Sequence, residues 1–156
     1  MNWYFKPALA MLALALALLS ACRSQPEGPQ PPEILYEQDV CASCGMIISE
    51  ARFAAATVLT NGESRKFDDI GEMLVYHMEH PTEQVEAWFV HDYDGEHWIR
   101  AETAYFVRSE AIKSPMGGNI VAFEDEDAAA ALAAEFQVEV YTLDQLRADV
   151  HMEVHG

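Results

Sequence analysis

Two stretches of this chain repeat one pattern, with Phe67 and Phe123 lying 56 residues apart, and that recurrence limits the fold more than any other feature. The first copy reads Lys66-Phe67-Asp68-Asp69, then IGEMLVYHMEH, then the apolar run VEAWFV. The second reads Ala122-Phe123-Glu124-Asp125, then EDAAAALAAEF, then VEVYT. Ile70, Met73, Leu74, His77 and Met78 fall on one helical face, with Asp69 and Glu72 suited to the N-cap and its N3 partner; Ala129, Leu132, Ala133 and Phe136 repeat that spacing. An extended candidate precedes each copy, Phe53 to Thr60 and Ala104 to Val107, and Asn61-Gly62 marks a tight turn after the first. Each half is therefore expected to run strand, strand, helix, strand. The fold class is α+β, two similar ββαβ units at about residues 45–95 and 100–148 within one domain, 34–150. A short helix is possible from Leu143 to Ala148, and residues 151–156 are expected as a flexible tail.

What precedes the domain is an address. Lys6 gives a basic start, and Ala8 to Leu19 is an unbroken apolar run of 12 residues, too short for a permanent membrane helix and suited to a signal-peptide core. Leu19-Ser20-Ala21-Cys22 then resembles the bacterial lipobox, which makes residues 1–21 a signal peptide and Cys22 the lipidated residue. Arg23 after the cysteine, in place of Asp, points to the outer membrane over the inner, on the periplasmic side. Residues 23–33, RSQPEGPQPPE, hold four prolines and no large apolar side chain, so they form a tether that cannot pack. Among the charged residues cleavage removes Lys6 alone, taking 26 acidic and 9 basic residues to 26 and 8, and the formal charge from −17 to −18. Such a surface repels phosphate backbones, which excludes nucleic acid as a partner, and it disfavours anionic lipid, leaving the acyl chains to hold the membrane.

The chemistry concentrates in Asp39-Val40-Cys41-Ala42-Ser43-Cys44-Gly45-Met46, two thiols and a thioether within six residues. These are soft donors that select copper(I) over hard cations, and Gly45 allows the sharp turn that could aim Cys44 and Met46 at one centre. Other readings of the cysteine pair stay open. A thioredoxin-like redox pair needs a helix N-terminus after a buried strand, and the Pro-rich tether leaves no room for that scaffold. A structural zinc site wants a second pair of ligands. A plain disulfide is the default fate of two nearby thiols outside the cytoplasm, although so short a loop removes little unfolded-chain entropy. Far along the chain, Ser114-Pro115-Met116-Gly117-Gly118 sets a methionine among glycines in a loop that could present its sulfur, while methionine as core filler is the simpler account. His77 and His80 lie on the first helix, His77 on its apolar face as a core residue with one hydrogen bond; His151, Met152 and His155 lie in the solvated tail. No nucleophile in a recognisable catalytic setting stands out, so a carrier is expected and an enzyme is not.

Together the lipobox, the CASCGM stretch, the FDD-helix and SPMGGNIVAFEDEDAAAALAAEF resemble the NosL family of copper-binding lipoproteins that serve nitrous oxide reductase, from Asp39 to about Leu146. The resemblance implies a paired ββαβ fold, one copper(I), and delivery to apo nitrous oxide reductase with the help of an ABC transporter assembly. Carried over by position, it implies Cys44, Met46 and Met116 as ligands, with Cys41 matching the first motif cysteine. The alternative function is a membrane-anchored thiol-disulfide oxidoreductase using Cys41 and Cys44.

Overall fold

A computed structural model of the chain describes residues 28–156. The signal segment 1–21, the lipidation candidate Cys22, Arg23 and the first part of the tether lie outside the described residues. The first unit is β1 (Ala55–Leu59), β2 (Ser64–Phe67), α1 (Ile70–Glu79) and β3 (Val85–His91), extended by β4 (Trp98–Arg100). The second is β5 (Tyr105–Arg108), β6 (Ile120–Phe123), α2 (Glu126–Phe136) and β7 (Val140–Tyr141), followed by α3 (Leu143–His155).

The repeat reaches down to strand register. Both sheets place their first strand between the second and the third, in the orders β2-β1-β3-β4 and β6-β5-β7, with antiparallel pairing throughout. Ala55, the first residue of β1, pairs with Phe67, and Tyr105, the first of β5, pairs with Phe123. Both phenylalanines are buried. Asp69 and Asp125 cap the helices that follow, accepting from the backbone N–H of Gly71 and Ala128 respectively. A short 3-10 turn leads into each first strand, Ala51–Phe53 and Ala101–Thr103, so the extended stretch expected from Phe53 begins instead at Ala55.

The sheets meet where β3 ends, since Asp92 forms a parallel bridge with Ala122 and its carboxylate accepts from the Glu124 amide at 2.9 Å. One core joins the units, with Phe67, Ile70, Leu74 and Val90 from the first packed with Phe106, Ile120 and Ala122 from the second. α3 closes it through Leu143, Leu146 and Val150. A smaller cluster, Val107, Val121, Phe123, Ala129 and Ala133 with Phe53, seats α2 on the other face of the second sheet.

Two local expectations change. The last helix does not stop at Ala148 and leave a flexible tail at 151–156: it continues to His155. Its last turns are held by Arg108, which pairs with Asp149 at 2.8 Å and also with Glu153. β4 is a strand the apolar pattern did not suggest, only three residues long and ending in Arg100, recruited by pairing Val90 with Ile99 and His91 with Trp98.

Candidate metal centre

Residues 37–48 fold back on themselves before the first unit begins. Val40 and Ile47 form an antiparallel bridge, the Cys41 N–H donates to the Met46 carbonyl at 2.8 Å, and the Gly45 N–H donates to the Cys41 carbonyl at 3.0 Å. That closure requires φ +74° at Gly45, a conformation glycine adopts without penalty. The hairpin is tied to β2 by the Ala42 N–H donating to the Lys66 carbonyl at 2.8 Å and by an Asp39–Lys66 ion pair at 2.7 Å. Lys66 and the Leu35 amide hold the Asp39 carboxyl below its ordinary pKa.

Pinning the hairpin to β2 sets both cysteines beside the strand's end. Cys41, Cys44 and Asp68 each present a ligand atom, all within 4.8 Å of one another. Both Asp68 oxygens lie 3.8 Å from the Cys44 sulfur. Both thiols are free; Cys41 and Asp68 are each 2% exposed, and Cys44 is half-buried. Burial is the largest influence on the Cys41 thiol and pushes its pKa up to about 12.

The loop of Met116 reaches the same place from the second unit. Asp69 is fully buried, and its two oxygens do different work. Oδ1 accepts from the Gly71 N–H at 2.7 Å and caps α1. Oδ2 accepts from the Ser114 hydroxyl at 2.6 Å, the Met116 N–H at 3.1 Å and the Gly118 N–H at 3.4 Å. The loop thus docks on the residue next to Asp68. Gly118 must be glycine there, because a Cβ would collide with the Asp69 carboxylate and lie 3.1 Å from the Gly71 Cα. Met116 and Met46 remain exposed, at 37% and 54%.

Of the residues singled out in the sequence, Cys41 and Cys44 come together, Met46 belongs to their hairpin, and Met116 is held one residue away from Asp68. The histidines do not join them. His77 Nε2 is bonded to the Thr57 hydroxyl at 2.9 Å, and burial lowers its pKa to about 4, as suits a packed residue. His80 bonds the Tyr76 carbonyl at 2.8 Å. Asp68 is the member that the sequence pattern left out. One signal was available: Asp69 and Asp125 cap their helices, so the acid before each cap is not needed for that task.

Residues 32–151 match the protein family described as NosL. The copper-binding lipoprotein NosL of Stutzerimonas stutzeri is 30% identical over 135 residues, which cover 79% of this chain and 71% of that protein. The crystal structure of the copper chaperone NosL from Shewanella denitrificans superposes with a TM-score of 0.66 at 22% identity, covering 76% of this chain and 96% of the other, a likeness of fold.

Proposed function

Because the chain belongs to the NosL family, we propose that it is a metallochaperone, carrying one copper(I) ion outside the cytoplasmic membrane to an enzyme that needs it. The observation that carries this reading is the Cys41–Cys44–Asp68 group, buried at Cys41 and Asp68 and half-buried at Cys44, with its atoms mutually within 4.8 Å. Thiolates select a soft ion, and thioethers strengthen the preference. In this reading Cys44, Met46 and Met116 bind copper, Cys41 contributes the second thiolate, and Asp68 lies beside them, accepting a hydrogen bond from the Cys44 thiol until the metal displaces that proton. Met46 and Met116 are the exposed members, so a receiving protein's sulfur or imidazole can enter from their side before the cysteines let go.

The recipient proposed is nitrous oxide reductase, with an ABC transporter assembly of the same maturation system taking part in the transfer. Cys22 would carry the lipid that holds the protein on the periplasmic side, in the outer membrane by the sign of Arg23. Among the described residues no helix is long and apolar enough to cross a membrane. A thiol oxidoreductase fits less well. Its nucleophile needs a lowered pKa, usually at a helix N-terminus, whereas Cys41 is shifted upward in a hairpin.

Anaerobic titration of the reduced chain tests the proposal. About one copper(I) per chain with a sulfur-dominated X-ray absorption shell is expected, and zinc should bind far more weakly. A shell of nitrogen and oxygen alone, or full copper retention by Cys44→Ser, would refute it.

A further inference from the structure

The end of α3 carries chemistry that the thiol centre does not use. His151 and His155 are one turn apart on a helix that stays formed to His155, and their ring centroids are 4.7 Å apart. Both residues are exposed. At 3.6 residues per turn they face roughly away from the side of Asp149 and Glu153, which Arg108 holds against the second unit. Val150 is buried, and Val154 lines a cleft shared with Met116 and Gly118, so this last stretch is seated on the domain. The chain's other four histidines are occupied: His77 by Thr57, His80 by the Tyr76 carbonyl, His91 by the Ala54 carbonyl and Tyr36, and His97 by Glu124.

We propose that His151 and His155 form a second metal site, for a divalent late first-row ion, with copper(II) bound most tightly. Neutral imidazoles suit copper, nickel and zinc, and copper(II) leads that order for a given set of nitrogen donors. The carbonyl end of the helix favours a cation there. Two imidazoles leave the remaining positions to water, so the ion exchanges readily. The site is independent of the thiol centre and complementary to it, since sulfur selects the reduced ion and the imidazole pair the oxidised one.

The test uses the untagged full-length chain. In Cys41→Ser/Cys44→Ser, one equivalent of copper(II) should give an electron paramagnetic resonance spectrum with two nitrogen donors. His151→Gln or His155→Gln should weaken that binding by on the order of tenfold or more, because a chelate becomes a single contact. A second measurement leaves the cysteines intact: with copper(I) already loaded, nickel(II) should slow hydrogen exchange over residues 151–155, and should not do so in the double glutamine variant. Unchanged copper(II) affinity in His151→Gln/His155→Gln, or exchange in that turn that ignores nickel(II), would overturn the proposal.

Discussion

The two ββαβ units share strand order and the register of their phenylalanines, yet the acidic pair that follows has opposite surroundings in each. Asp68 and Asp69 are 2% and 0% exposed, whereas Glu124 and Asp125 face solvent. The difference comes from what was added to the scaffold. A hairpin at 40–47 covers the first pair from one side, and the long β5–β6 connection, residues 109–119, covers it from the other. The corresponding β1–β2 connection is only residues 60–63 and reaches nothing comparable. The helices diverge in the same sense, with Met73 and His77 on α1 where α2 has Ala129 and Ala133. The two units are alike as platforms, and the additions bury the acidic pair of the first alone.

The largest effect tests the shared part. Phe67→Ala and Phe123→Ala should each cost about 3–5 kcal/mol of stability in denaturant melts, because both rings are fully enclosed. If either is tolerated, the two positions are not equivalent. Next comes the acid that only the first unit buries: Asp68→Asn should lower copper affinity by about 10–100-fold in a competition titration, as loss of a supporting group does, while Glu124→Gln should leave it unchanged. Equal effects would erase the distinction between the platforms. Gly118→Ala comes third, expected to cost about 1–3 kcal/mol in thermal unfolding and to weaken copper binding as the Met116 loop is pushed from Asp69.

The remaining effects are in pH. Folding raises the Cys41 pKa from about 9 to about 12, so the folded state keeps a proton the unfolded chain releases. Stability of the metal-free protein should therefore fall as pH rises from about 9 toward 12, and copper, by displacing that proton, should remove the decline. His77 works the other way: burial lowers its pKa from 6.5 to about 4, so stability should fall on acidification across that interval. Melts of His77→Gln should show a shallower decline between about pH 6.5 and 4, the remainder coming from carboxylates such as Asp39 and Asp92 whose pKa values are also lowered.

Local rules made much of this legible. The 3.6-residue period marked α1 and α2, the Asp69 cap marked the start of α1, and the recurrence of Phe-acid-acid located β2 and β6. The soft donors Cys41, Cys44, Met46 and Met116 stood out by residue type and by their glycines. Asp68 did not, because an acid beside an N-cap looks the same whether it faces solvent or a thiol. The last turns of α3 were missed because Arg108, far away in sequence, holds Glu153 there.

The sequence by itself carried the motifs by which the chain resembles its family and the periodicity that marks the repeated architecture, and it offered the sulfur side chains as candidates by residue type, all within short windows. Only the tertiary structure decided which of two matching acidic pairs lies beside the thiols, and that the Met116 loop docks on Asp69. The reason is physical: burial and hydrogen bonding at that point depend on segments about 25 to 50 residues apart meeting, and no local pattern encodes the meeting.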